Sequence, residues 1–262
     1  MRLMILIGAF AVTGSLLAQS PAKGDHAAEL AAIKDYALNY SDRLPNFAAM
    51  QVVRRQVKPL QSGRISTGTR AQTDTVEEQI GYVDHKELHK TLTVNGQKVK
   101  DGEADQSGMF SRGEFGALLD TLFRKETRAE FRWDRMASIG GRKMVVFSFK
   151  VPQLPNGYAI MEGTRTLIVP YKGSLFADAE TKAVMRIQMA CTDIPLVSAY
   201  RGVDLTVDYK KIEVAGQEFL LPSHFTMNLR RLDADVTMDS TYRNYRRFAA
   251  DATIIFEPED PQ

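Results

Sequence analysis

The sequence contains a single cysteine, Cys191, in 262 residues. One cysteine cannot form an internal disulfide, so the fold does not depend on covalent cross-links. Cys191 ends an alternating apolar segment, and we expect a small buried residue there, not a reactive nucleophile. Glycines are dispersed, and the sequence has neither a glycine-rich phosphate loop nor a G-x-S-x-G nucleophile elbow.

The sequence also lacks an excess of either charge. It has 34 Lys and Arg residues against 32 Asp and Glu residues, a formal net charge of +2. Such a balance provides no extended field for nucleic acid or for an anionic membrane. The mean hydropathy of -0.25 excludes a polytopic membrane protein. With 44% hydrophobic residues, a chain of this length can bury a sizeable core without a metal or a disulfide.

The only long apolar run is at the N-terminus. Arg2 precedes the uncharged residues Leu3 to Ala18, and polar and chain-breaking residues follow. A positive start, an apolar middle and a small final residue indicate a cleaved signal peptide over residues 1–18, and hence a periplasmic or secreted protein. The alternative, an uncleaved anchor, is disfavoured because the run is shorter than the roughly 20 residues that span a bilayer.

Most of the remaining chain has the period of two that is typical of strands. In Val184–Ala190, Met185, Ile187 and Met189 would point to one face, and Val184, Arg186 and Gln188 to the other. This strand follows another, Gly173–Ala177, across the polar turn Asp178–Lys182. Further strands are predicted over 47–57, 75–99 as a hairpin, 128–138 with 142–151, 158–170 continuing the sheet, 203–214, 217–232, 235–247 and 252–256. Short strands joined by close turns indicate antiparallel pairing.

Two amphipathic helices are predicted, over residues 25–42 and 113–126. The second has Ser111 as a possible N-cap and Glu114 three residues later, the arrangement of a capping box. Its apolar face consists of Phe115, Leu118, Leu119, Leu122 and Phe123. We therefore predict one α+β domain, mostly β, over residues 25–256, followed by a polar tail at 257–262. Helices packed on a curved sheet would leave an apolar slot, and the alternative is a helix that packs tightly on the sheet and leaves none.

No cluster of titratable residues indicates catalysis or a metal site. His85 and His89 lie four residues apart in a predicted strand turn, where we expect both to be solvated. The Glu77–Glu78 and Asp233/Asp235 carboxylates are expected on exposed faces. The arginines near the end of the chain are expected on a solvated sheet face: Arg230, Arg231, Arg243, Arg246 and Arg247.

Two segments carry a resemblance to a known family. Tyr171–Asp178 followed by Val184–Ile187 resembles the hairpin of the outer-membrane lipoprotein carrier superfamily, the half-barrel fold of LolA, LolB and the RseB N-terminal domain. Asp208–Tyr209 followed by Gly216–Pro222 resembles a later hairpin of that family, which ends in a Leu-Pro pair. The LPNF sequence from Leu44 and the NYRRF sequence from Asn244 are also similar to exported proteins of soil bacteria, from which no activity follows.

The resemblance implies a single curved antiparallel sheet, a half-barrel, with two helices on its concave face and an apolar cavity for acyl chains. It implies no catalytic residue and no cofactor. The expected partner is a lipid or an acylated lipoprotein, and neither nucleic acid nor metal. The residues chosen for size and face to line the cavity are Phe115, Leu118, Leu119, Leu122, Phe123, Trp133, Phe147 and Phe149. The alternative is an interaction or envelope-stress module that binds another envelope protein through a sheet edge or the arginine-rich last strands.

Overall fold

The computed structural model describes residues 25–61, 64–65, 70–100, 114–153 and 158–247. The predicted signal peptide, Ser111, the strand predicted at 252–256 and the polar tail lie outside these ranges. Two α-helices are present in the described ranges, α1 at Asp25–Leu38 and α2 at Ala117–Phe123. Each is followed by a 3₁₀ turn, Ser41–Arg43 after α1 and Lys125–Thr127 after α2.

Strands make up most of the described chain. In chain order they are β1 Phe47–Gln61, β2 Arg64–Ile65, β3 Gln72–Val83, β4 Lys86–Val94, β5 Gln97–Lys98, β6 Glu130–Ile139, β7 Arg142–Val151, β8 Tyr158–Glu162, β9 Arg165–Val169, β10 Tyr171–Asp178, β11 Val184–Cys191, β12 Tyr200–Val214, β13 Gln217–Arg231 and β14 Ala234–Arg247. Within the described ranges, the predicted strands and turns are confirmed within a few residues, and β7 begins and ends at the predicted positions.

The strands form one large antiparallel sheet with the order β5-β4-β3-β1-β14-β13-β12-β11-β10-β7-β6, and β2 pairs with β1. The first and last long strands, β1 and β14, pair in the middle of the sheet, from Phe47 opposite Arg247 to Pro59 opposite Ala234. The two edge strands, β5 and β6, do not pair with each other, so the sheet is a half-barrel and not a closed barrel. The predicted fold class is confirmed.

The β10–β11 hairpin has the predicted face alternation, with one exception. Met185, Ile187 and Met189 are buried, and Gln188 is exposed. Val184, which the simple alternation places with Gln188, is also buried. A register shift between Phe176 and Ala177 in the pairing of β10 with β11 changes the alternation at this end of the strand.

The segment from Tyr158 to Pro170 does not continue the large sheet, contrary to the prediction. The strands β8 and β9 pair only with each other, from Tyr158 opposite Val169 to Glu162 opposite Arg165. Pro170 has no N–H group to donate to a ladder. The chain therefore leaves the small hairpin at this proline and enters the large sheet at Tyr171.

Both helices are shorter than predicted. Helix α2 begins at Ala117 and not at Gly113, so Glu114 precedes the helix and the proposed capping box is not its N-terminus. Gly116 has φ 134°, which a helix does not accommodate, and a Cβ placed on it would lie 2.3 Å from Oγ of Ser41. This glycine permits the close approach of the two helical segments. Arg124, with extended backbone angles, ends α2.

Candidate functional site

The two helices cover one face of the half-barrel and form a core with it. Helix α1 contributes Ile33 and Ala37, and α2 contributes Leu119, Leu122 and Phe123, all at most 3% exposed. Six of the eight residues predicted to line a cavity are buried: Phe115, Leu119, Leu122, Phe123, Phe147 and Phe149. The other two, Leu118 and Trp133, are partly buried against the same core.

A row of aromatic rings in contact with one another runs from α2 into the sheet. Phe123 stacks on Phe131 of β6, with ring centroids 5.0 Å apart and planes at 5°. Phe131 contacts Phe149 at 6.1 Å, and Phe149 contacts Tyr171 at 6.2 Å. Phe131 was not among the predicted lining residues. The period of two in β6 could have identified it, because Phe131 and Trp133 lie on the same face of the strand.

A recess of about 300 Å³ opens beside this row of aromatic rings, between α1, α2 and the start of β6. We call it the basic recess. Its floor is apolar and comprises Leu30, Leu122, Phe123, Ala129 and Phe131. Its rim is formed by the exposed side chains of Lys34, Arg124, Lys125 and Arg128. An apolar floor with a few polar groups at its border is the usual composition of a small-molecule site.

A second recess of about 580 Å³ lies at the N-terminal end of α2, which we call the acidic recess. Its charged lining residues are Asp42, Glu87, Asp120 and Arg124, together with His85. Tyr82 and Phe115 contribute aromatic surface. The carboxylates outnumber the arginine, so the two recesses on either side of α2 have opposite charge.

Two buried tyrosines join the segment after α1 and the segment before α2 to the sheet. Tyr209 donates its hydroxyl proton to the backbone carbonyl of Glu114 at 2.9 Å, and Tyr40 donates to the carbonyl of Leu220 at 2.7 Å. Burial raises the pKa of both tyrosines well above the ordinary range. These hydroxyls therefore remain protonated donors.

The N-terminal half of α1 contacts β6 and the turn between β10 and β11. The His26 ring stacks on Trp133 of β6 with centroids 4.5 Å apart. Glu29 accepts a hydrogen bond from Nζ of Lys182, in the turn between β10 and β11, at 2.8 Å. These contacts place α1 against β6, where Leu30 and Lys34 border the basic recess.

Several polar residues lie where the sequence did not place them. The prediction of a solvated His89 is wrong, because its side chain is 3% exposed, with Nδ1 3.4 Å from Glu78 and Nε2 3.5 Å from Glu87. Glu78, expected on an exposed face, is 5% exposed. Across β1 and β3, Arg55 makes a two-point ion pair with Asp74, at 2.7 Å for each contact. Strand pairing brings these charges together across the sheet, and a single strand pattern cannot show that.

Neither a metal-binding cluster nor a membrane-spanning helix is found in the described part of the chain. There, no group of three or more His, Cys, Asp or Glu side chains could hold a metal ion. Within the same ranges, no helix has the length and apolar character needed to cross a membrane.

Neither protein-family models nor curated proteins give a match to this sequence. Solved structures with similar folds include a DUF1329 family protein from Desulfovibrio piger, at 9% identity and a TM-score of 0.38, covering 87% of this chain and 97% of that one. A LolA superfamily protein from Nitrosomonas europaea has 10% identity and a TM-score of 0.36, covering 84% and 93%.

An outer membrane lipoprotein-sorting protein domain from Vibrio parahaemolyticus has 12% identity and a TM-score of 0.38, and the match covers 85% of this chain and 94% of that one. The Nitrosomonas europaea protein is named after the superfamily that the sequence resembles. The likeness concerns the fold alone, and the half-barrel itself rests on the strand pairing described above.

Proposed function

We propose that this chain is a non-enzymatic exported protein that binds the acyl chain of a lipid or of an acylated lipoprotein between its helices and the concave face of its sheet. The observation that carries the proposal is the basic recess, an apolar floor that reaches solvent beside a row of aromatic rings in contact with one another. Acyl chains bind to such surfaces because apolar area is removed from water.

The size of the recess limits what it holds. A water-sized group takes about 30 Å³, so a recess of about 300 Å³ holds roughly ten methylene-sized groups. This is the lower end of the range for ligand pockets. A single chain of moderate length fits, whereas a lipid with two chains requires α2 to move.

Helix α2 is suited to such movement. It has seven residues, too few for a helix that is stable by itself, and non-helical residues bound it at Gly116 and Arg124. We propose that Leu122 and Phe123 contact the ligand first. A displacement of α2 would then expose the predicted lining residues behind it, Leu119, Phe147 and Phe149. On this proposal Phe115, Leu118 and Trp133 border the cavity at its ends.

The non-enzymatic part of the proposal is supported by the state of two residues, Cys191 and Asp178. Burial raises the pKa of the Cys191 thiol to about 12, so the thiolate is scarce at neutral pH. The Asp178 carboxylate accepts hydrogen bonds from the backbone N–H groups of Glu180 and Thr181 and pairs with Arg142. Neither Cys191 nor Asp178 lines either recess.

The proposal is tested by filling the recess. Ala129→Phe places a ring in the basic recess, and we expect it to lower uptake of a fluorescent fatty-acid probe at least about tenfold, since the probe loses most of the volume. Ala159→Phe, on the exposed face of β8, is the matched control and should bind like the wild type. Circular dichroism establishes that both variants are folded.

Two results would count against the proposal. Wild-type uptake by folded Ala129→Phe would show that the ligand binds elsewhere. If the wild-type protein takes up no probe, and native mass spectrometry of protein purified from periplasm shows only the unliganded mass, acyl-chain binding itself is wrong.

A second candidate function, a protein-interaction module, is favoured by one surface loop. Leu196 and Val197 are 84% and 77% exposed. Arg201 donates hydrogen bonds to the carbonyls of Leu196 and Ser198, which fixes the loop in this conformation. Capture of an envelope protein that is lost in Leu196→Ser/Val197→Ser, in a protein that takes up no fatty-acid probe, would support this function over lipid binding.

A further inference from the structure

The charged residues that line the basic recess are cationic. Among the residues that the structure describes, its lining contains four cationic side chains, those of Lys34, Arg124, Lys125 and Arg128, and no acidic one. The whole chain has a formal net charge of only +2, so this concentration is local. The acidic recess across α2 shares Arg124 but contains three carboxylates, so a charged ligand would distinguish the two openings.

One of these four cations has an ion-pair partner in the described part of the chain. Arg124 forms an ion pair with Asp120 one helical turn before it. Among the residues that the structure describes, Lys34, Lys125 and Arg128 form no ion pair. The cationic side chains are exposed, and the floor of the recess is apolar. An amphiphile could therefore place its charged head group at the mouth of the recess and its hydrocarbon chain on the floor.

Arg128 is also held in an unfavourable backbone conformation. It has φ 51° and ψ 36°, in the left-handed region, where it ends the 3₁₀ turn after α2. Glycine or asparagine is the usual residue at such a position, because a larger side chain meets the following carbonyl. An arginine here has a conformational cost, and Arg128 lies on the rim of the recess.

We infer that the basic recess recognises the anionic head group of an amphiphile, a carboxylate or a phosphate, while the chain lies on the apolar floor. This inference rests on the proposed function, since it assumes that the chain of the ligand binds there. Lysine and arginine bind both anions through charge-assisted hydrogen bonds. The head group therefore contributes selectivity that the apolar floor cannot, because all acyl chains present the same surface to the floor.

Three ligands with the same twelve-carbon chain test the inference: dodecanoate, dodecyl phosphate and dodecanol. Binding is measured by calorimetry below the micelle concentration of each. We expect both anions to bind at least about tenfold more tightly than the alcohol, the factor expected from one charge-assisted hydrogen bond. The advantage should shrink as salt is raised, because exposed cations are screened. The tighter of the two anions identifies the source as a fatty acid or a phospholipid.

Arg128→Gly is the sharpest variant. Glycine adopts the left-handed conformation freely, so the melting temperature should be unchanged or higher, whereas the affinity for the anions should fall about tenfold and that for dodecanol should not change. Adding Lys34→Gln should bring the three ligands close to one affinity. The charge-matched control is Lys150→Gln/Lys172→Gln, two exposed lysines opposite each other on β7 and β10.

The outcomes separate the two proposals. Equal binding of all three ligands by the wild type would overturn the head-group inference and leave acyl-chain binding intact. An unchanged preference for anions in Arg128→Gly/Lys34→Gln would also overturn it, because the selectivity would then come from other residues. Failure of all three ligands to bind would overturn both proposals.

Discussion

Replacing Leu122 by alanine should weaken the fold and at the same time improve binding of a chain ligand. Leu122 is 1% exposed, and its side chain forms part of the floor of the basic recess. Truncating a fully buried leucine costs about 3 to 5 kcal/mol. For a protein of this size, a loss of about 3 kcal/mol lowers the melting temperature by roughly 6 to 12 °C.

The volume removed by Leu122→Ala joins the recess and becomes available to the ligand. The substitution removes three carbon atoms, and burying one methylene contributes about 0.8 kcal/mol, so a chain that refills the space recovers roughly 2 kcal/mol. Dodecanoate should therefore raise the melting temperature of the variant by several degrees more than that of the wild type, at equal saturation. Scanning calorimetry with and without ligand measures both effects.

Leu175→Ala provides the matched control. Leu175 lies in the middle of β10, is 0% exposed and does not line the recess. Its truncation should destabilise the protein by a similar amount, but the ligand should raise its melting temperature only as much as that of the wild type. An equal ligand shift in both variants would refute the placement of the chain on Leu122.

Two further predictions concern titratable groups. Burial raises the pKa of Asp178, but hydrogen bonds from the N–H groups of Thr181 and Glu180 outweigh it and the pKa lies below its usual value. The ionised carboxylate therefore stabilises the fold above about pH 4, and this contribution is lost on acidification. Asp178→Asn should accordingly lose less unfolding free energy than the wild type between about pH 6 and pH 3 in urea titrations; an equal loss would contradict the assignment. Because the pKa of Cys191 rises to about 12 from an ordinary 9.0, iodoacetamide at about pH 8 should alkylate the folded protein at least about a hundredfold more slowly than the unfolded one. Comparable rates would show that the thiol is accessible and ionised.

Sequence patterns predicted the strands well because strand alternation and tight turns depend on residues that are close together in the sequence. Residues 184–190 alternate between apolar and polar side chains, and the strand Val184–Cys191 is where the alternation places it. Gly140 and Gly141 have positive φ and form the turn between β6 and β7 that the sequence predicted. These features depend on neighbours within a few residues, which the sequence displays directly.

Where prediction was wrong, contacts between distant residues decided the outcome. Helix α2 begins later than predicted because Gly116 has φ 134°, and a Cβ on this glycine would collide with Ser41, which lies 75 positions earlier in the sequence (116 minus 41). The segment Tyr158–Val169 forms strands, as its pattern predicts. These two strands pair with each other and not with a strand of the large sheet. His89 is buried because β3 places Glu78 beside it.

The sequence by itself determined the strand-rich composition, the antiparallel hairpins, the apolar face of α2 and the independence from disulfides, since these follow from residue type and short spacing. Only the tertiary structure decided that β1 and β14 pair at the centre of the sheet and that α1, α2 and β6 meet around one recess. It also gathered Lys34, from α1, with Lys125 and Arg128, about ninety positions later in the chain, on one rim. Charges so far apart in sequence become a binding surface only through the packing of the elements that bear them.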